Sequence, residues 1–312
     1  MRVFLFMSIC SCMLSFSQPL LVDQGELIFS GVAGKRSEPR GFTLWNQSDE
    51  ALEGLTLKLT GRNADCFQTL EKSPVSLKPN GCITADLVFV PPKGRLGVLK
   101  AECQVVNSAG EIKTSVALAG LSAIGVEGDR EPTLQRIVET LGLQLDVGWN
   151  SLHSDTGPTL QGDEIRQQRF RKASAGDVKL EPVARYSPNF LLPTAALEAP
   201  ELHPIGTLGL KTRTRAEHNA LFPSLASGTT CFDPGNAVFG IFTSSPSHVA
   251  YTEDVWNSRL EPKHVKHAVR IFPVQRRAGK PVKNVFLICF EEAKNGDYQD
   301  YVFLLCNVVP EE

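Results

Sequence analysis

The chain has 312 residues, with 32 Lys and Arg against 34 Asp and Glu and a formal net charge of −2. No global field therefore recruits nucleic acid or an anionic membrane. Its 42% apolar content excludes wholesale disorder, and the length is enough for two hydrophobic cores.

The N-terminus reads as a secretory signal. Arg2 supplies a positive start, Val3 to Phe16 is mostly apolar, and Ser15-Phe16-Ser17 places small residues for cleavage before Gln18. The alternative, an ordinary buried first helix, fits less well because polar Gln18-Pro19 and strand-like sequence follow at once. The run is short for a membrane span, no second run is long enough, and membrane insertion is not expected. Export to the periplasm, cell surface or medium is. Two of the eight cysteines leave with the signal, and Cys66, Cys82, Cys103, Cys231, Cys289 and Cys306 remain. They divide three and three between the halves, which argues for buried free thiols rather than a complete disulfide set. No Cys/His spacing indicates zinc.

From residue 22 to 125 short strands recur: Glu26–Phe29, Gly41–Trp45, Leu55–Leu59, Ala85–Val90, Ala101–Val106 and Thr114–Leu118. Several alternate apolar and polar residues, and Pro91-Pro92-Lys93-Gly94 and Asn107-Ser108-Ala109-Gly110 supply turns. This pattern predicts an immunoglobulin-like sandwich. Asn46-Gln47-Ser48 is a formal glycosylation sequon, relevant only in a eukaryotic secretory pathway. Phe42-x-Leu44-x-Asn46, Pro74-x-x-Leu77-x-Pro79-x-Gly81, Val88-Phe89-Val90-Pro91-Pro92 and Val116-Ala-Leu-x-Gly120 together resemble the Hydin-type immunoglobulin-like domains. That resemblance implies a fold and an interaction or spacer role, and it brings no catalytic residue.

Residues 126–149 form a linker with a short helix. Pro132 lies near its first turn, Leu134, Ile137, Val138 and Leu141 share one face, and Gly142 caps it. About ten residues do not persist as a helix unaided, so the apolar face is expected to plug the seam between two domains. Residues 151–180 read as exposed loop with a polar strand or two. Arg166, Arg169, Arg171 and Lys172 within it read as a solvated basic face.

Residues 150–312 predict a second, jelly-roll-like β-sandwich. Its strands are Val178–Val183, Leu208–Thr212, Ala237–Thr243, His267–Pro273, Val285–Phe290 and Tyr301–Val309, with a long proline-rich loop from Pro188 to Pro204. The last two strands form a hairpin around Asn295-Gly296, read as a type I′ turn. That register puts Cys289 opposite Val302 and leaves Cys306 roughly 13 Å away along the strand, beyond disulfide reach.

Glu291, Glu292, Asp297 and Asp300 crowd this turn, and like charges so close need full solvation or a cation. All four offer oxygen ligands to Ca²⁺, the expected cofactor, although the EF-hand spacing is absent. Phe290 to Phe303, with Phe232-Asp-Pro-Gly-Asn236, Phe239-Gly-Ile-Phe242 and Tyr251-Thr-Glu-Asp254, is similar to exported bacterial β-domains of unknown function. In those the hairpin typically reads Phe-Glu-Asp…Asp-Tyr-Asn-Asp; here Glu292 and Gln299 depart from it. The resemblance implies no activity.

Glu253 and Asp254 beside Tyr251 and Trp256 are the nearest approach to a glycosidase acid pair. His248, His264 and His267 are irregularly spaced, and no nucleophile motif accompanies them. The expected function is therefore a non-enzymatic, calcium-stabilised binding or adhesion-type protein whose partner is a glycan or a surface component. A carbohydrate-active hydrolase and a purely structural envelope protein are the alternatives.

Overall fold

In the computed structural model residues 19–312 are described, apart from 153–154, 189, 199–201, 211–218, 247, 261–264 and 293. The signal reading of residues 1–17 and His264 lie outside them. The fold is all-β, two sandwiches with one short helix between them.

The first sandwich packs two sheets. One orders Leu20–Val22, Arg40–Asn46, Cys82–Phe89 and Phe67–Thr69; the other orders Glu26–Val32, Ile112–Ala123, Gly97–Val106, Leu52–Thr60 and Val75–Leu77. Alternation drives the layering: along Arg40–Asn46, Phe42 and Leu44 point in while Trp45 points to solvent. Phe29, Phe67 and Phe89 meet at the centre with ring centroids 5.1–6.4 Å apart, each burial contributing about 1.5–3 kcal/mol. Gly120 is required beneath them, because a Cβ there would stand 2.3 Å from the Phe89 ring.

The helix spans Leu134–Thr140, and its N-cap Thr133 hydroxyl accepts from the Arg136 N–H at 3.4 Å. Leu134, Ile137, Val138 and Leu141 are buried as their spacing requires. They share one cluster with Leu121 of the first sandwich and with Val183, Leu287, Val302 and Leu304 of the second. The helix fills the seam.

The second sandwich also packs two sheets, with every strand pairing antiparallel. Its outer sheet orders Leu225–Ser227, His203–Leu210, Leu192–Glu198, Phe239–Ser244, Arg169–Lys172 and Val308–Glu311. The inner sheet orders Asn219–Leu221, Val178–Tyr186, Tyr301–Cys306, Val285–Phe290 and Val269–Pro273. Phe286, Ile288, Phe290, Tyr301, Phe303 and Leu305 face the outer sheet, while Leu287, Cys289, Val302 and Leu304 face the helix. Burial on both faces explains why these strands read as unbroken apolar runs.

One expectation needs correction. The segment from Pro188 to Pro204 is not a long loop, for Leu192–Glu198 is an interior strand paired on both sides. Pro193 sits next to the strand start, where a missing N–H costs least, and the residues after it are small and apolar. The basic cluster lies at the surface, with Arg166 and Arg171 exposed, Arg171 paired with Glu311 and Lys172 with Asp233 at 2.5 Å.

Candidate metal centre in the terminal hairpin

The two strands buried on both faces hold the hairpin rigidly, in the expected register of Cys289 to Val302 and Phe290 to Tyr301. The connection differs from a type I′ turn. It runs from Glu291 to Asp300, with Gly296 and Tyr298 at positive φ (75° and 55°) and Asn295 outside that region. This longer loop folds inward. Tyr298 is fully buried, donates its hydroxyl to the His267 carbonyl at 2.6 Å, and packs against Trp149 and the Arg270 guanidinium.

Anchoring Tyr298 turns its flanking carboxylates towards one another. Oxygens of Glu291, Asp297 and Asp300 lie within 4.8 Å of each other. Glu291 and Asp297 are 0% and 3% exposed, so the loop is not a solvated acidic turn. Glu292 is not brought in: its carboxylate accepts from the Tyr301 hydroxyl at 2.5 Å, while its backbone N–H donates to Asp300. The cluster gains two other groups. Gln299 is fully buried and donates to Glu131 at 2.9 Å, carrying the connecting segment to the edge of the site. Asn295 donates to Asp297 at 2.6 Å.

Electrostatics follow from this burial. The Asp300 carboxyl is held far above its usual range, first by burial and then by the charges of Glu291 and Asp297. Glu131 is pushed up to about 7, again chiefly by burial, with Asp297 adding to it. Such a cluster holds a proton or a cation at neutral pH. The donor set fits a hard cation: all ligands are oxygen, and the buried Gln299 Oε1 has no hydrogen-bond partner and can supply a neutral oxygen. Sequence inspection missed Glu131, which is 168 positions from its partner Gln299. Gln299 is legible there as a motif departure that keeps an oxygen ligand, but not as a member of the cluster.

The candidate acid pair of Glu253 and Asp254 is placed differently. Asp254 begins a short helix, Asp254–Asn257, and lines a cavity of about 560 Å³ with His267, whereas Glu253 lines an adjoining one of about 290 Å³ with Arg169, the two sharing Arg166 and Gln168. His267 is clamped, Nδ1 to Asp254 and Nε2 to Glu164, each at 2.9 Å, and Arg270 donates to Glu164 at 2.5 Å. Burial alone would push the imidazole down; the hydrogen bonds and charges of Asp254 and Glu164 outweigh it and raise the pKa to about 9. With both nitrogens donating to carboxylates, the ring offers no free base. His248 is buried outside this network.

All six cysteines of the described residues are free, and Cys289 and Cys306 are not bridged. Asn46 of the sequon is buried and donates to the carbonyls of Glu50 and Lys78 at 2.7 and 3.0 Å, so the folded protein does not present it as a glycan acceptor. Among the described residues no helix is long and apolar enough to cross a membrane.

The Cep192 domain 4 family profile matches residues 17–123, the first sandwich. No curated protein matches the chain at a significant level. Among solved structures, PapD-like domain 7 of human CEP192 is 12% identical, with 39% of this chain and 96% of that one covered at a TM-score of 0.25. WR4, a C. elegans MSP family member, is 16% identical over 34% of this chain and all of its own, at a TM-score of 0.23. The SrpA adhesin R347E mutant of Streptococcus sanguinis is 10% identical over 38% of this chain and 65% of its own, at a TM-score of 0.26. The first sandwich is an immunoglobulin-like β-domain; none of these likenesses brings an activity or a ligand to this chain.

Proposed function

We propose that this is an exported, non-enzymatic binding protein in which a Hydin-type immunoglobulin-like spacer carries a β-domain locked by Ca²⁺. The observation that carries the reading is the convergence of Glu291, Asp297 and Asp300 within 4.8 Å, two of them buried. Carboxylates crowded together in a buried cluster repel one another, so a site of this kind is stabilised by a proton or a cation. Glu292 serves as an outer contact that orients Tyr301 and Asp300. The partner is a glycan or a cell-surface component, for which screening the purified protein on a glycan array is the direct experiment.

The calcium reading is tested by melting. A cation that binds only the folded state stabilises it by about 2.7 kcal/mol at a hundredfold excess over Kd, a rise of about 5–10 °C for a domain of this size. The paired substitution Asp297→Asn and Asp300→Asn removes that rise and leaves the calcium-free protein no less stable, because it removes repulsion at constant size. A wild-type melting curve that neither millimolar calcium nor a chelator moves would end the reading.

A further inference from the structure

A cleft of about 940 Å³ opens where the two sandwiches meet; one of its lining residues, Tyr186, donates its N–H to the Asp300 carbonyl at 3.1 Å, so its wall adjoins the acidic hairpin. Its walls come from the edge strand Glu26–Val32, the residues after it up to Arg40, residues 123–127 with Arg130, Tyr186, and the segment 220–224 that includes the end of the inner sheet's edge strand. Arg40 sits inside it, half-buried. Its guanidinium lies 5.6 Å from the centre of the Phe222 ring and donates a single long bond, 3.4 Å, to the Leu221 carbonyl. Burial holds its pKa below the usual value, and among the described residues no carboxylate offsets that effect.

A guanidinium with five donors, partly desolvated and served by one weak acceptor, is poised for an anion that accepts two bonds at once. The surroundings agree. Lys35, Arg36 and Arg130 stand exposed at the rim, against Glu38 and Glu127 as the only acids among the described residues that line the same cleft. Beside them Ile124 is 58% exposed, an apolar side chain left in the open within the cleft wall. A polar end and an apolar end therefore lie in one cavity of ligand size.

We infer that this cleft binds a ligand with one carboxylate or phosphate group joined to an apolar body. Arg40 takes the anion in a bidentate pair, Phe222 and Ile124 take the body, and Lys35, Arg36 and Arg130 draw the ligand in from solvent. Carboxylate and phosphate share this chemistry and differ in source, an acidic sugar or a phosphate ester.

Calorimetric titration of the full chain with n-octyl glucuronide, n-octyl phosphate and neutral n-octyl glucoside, each below its micelle concentration, tests the inference. The better of the two anionic probes identifies the source. It binds at least about tenfold more tightly than the glucoside, and added salt weakens it. Arg40→Gln lowers its affinity by about tenfold or more, and Lys35→Ala with Arg36→Ala by about threefold. Should Arg40→Gln fail to fold, reversing the exposed charges (Lys35→Glu, Arg36→Glu, Arg130→Glu) must abolish binding. Equal binding of the neutral probe, no binding of either anionic probe, or affinities indifferent to these substitutions would overturn the assignment.

Discussion

At the scale of single residues, charge burial decides the chemistry of the second sandwich. Asp300 and Glu131 both have folded pKa values above their unfolded ones, so the stability they bring is fully present below about pH 4 and is lost as pH rises through them, to about 7 for Glu131. His267 acts in the same direction at higher pH: its contribution is complete below 6.5 and is lost as pH passes about 9. That single group is worth on the order of 3 kcal/mol. The calcium-free protein is therefore expected to melt progressively lower from pH 5 to 9.5. Saturating calcium flattens the part below about 7.5, because the cluster is then charged and neutralised. His267→Gln removes the part above it. Melting temperature recorded across pH for the two proteins, with calcium and with chelator, checks this; a flat wild-type profile would contradict both halves.

At the scale of elements, the helix Leu134–Thr140 shows how a weak local structure becomes indispensable. Seven residues are too few to hold a helix alone. What holds it is the apolar face, shared with side chains from both sandwiches. Ile137→Ala should lower stability by about 2–4 kcal/mol, since the residue is 0% exposed and its neighbours cannot collapse around the void. Glu139→Ala, on the exposed face of the same helix, should stay within about 0.5 kcal/mol. Urea midpoints for the two variants compare them, and equal losses would mean that the face does not matter. The helix period was readable because Leu134, Ile137, Val138 and Leu141 recur at the right spacing. The strand Leu192–Glu198 was not, because Pro193 and the prolines around it mask a run of small buried residues.

At the scale of the whole molecule, the two sandwiches differ in self-sufficiency. The first closes its own core around Phe29, Phe42, Phe67 and Phe89. The second turns one face of its inner sheet, with Leu287, Val302 and Leu304, to the helix. Residues 18–126 should melt cooperatively by themselves. Residues 127–312 should melt about 10–20 °C above residues 150–312, the difference reflecting several buried apolar side chains. Circular dichroism of the three fragments measures this, and failure of both 18–126 and 127–312 to fold would show that the halves are one unit.

The amino-acid sequence by itself determined the class of the fold, the helix and its buried face, the hairpin register and the crowding of acids at its tip. These rest on periodicities and spacings of a few residues, which local sterics and alternation impose. Only the tertiary structure decided which acids meet. Glu292 faces Tyr301 because a loop pivoting on buried Tyr298 turns it away, and Glu131 arrives because the linker packs beside the hairpin. The clamp of His267 by Glu164 and Asp254, and the cleft around Arg40, join segments 103 and 181 positions apart. No local pattern encodes such meetings, since they are set by how apolar faces stack across the whole chain.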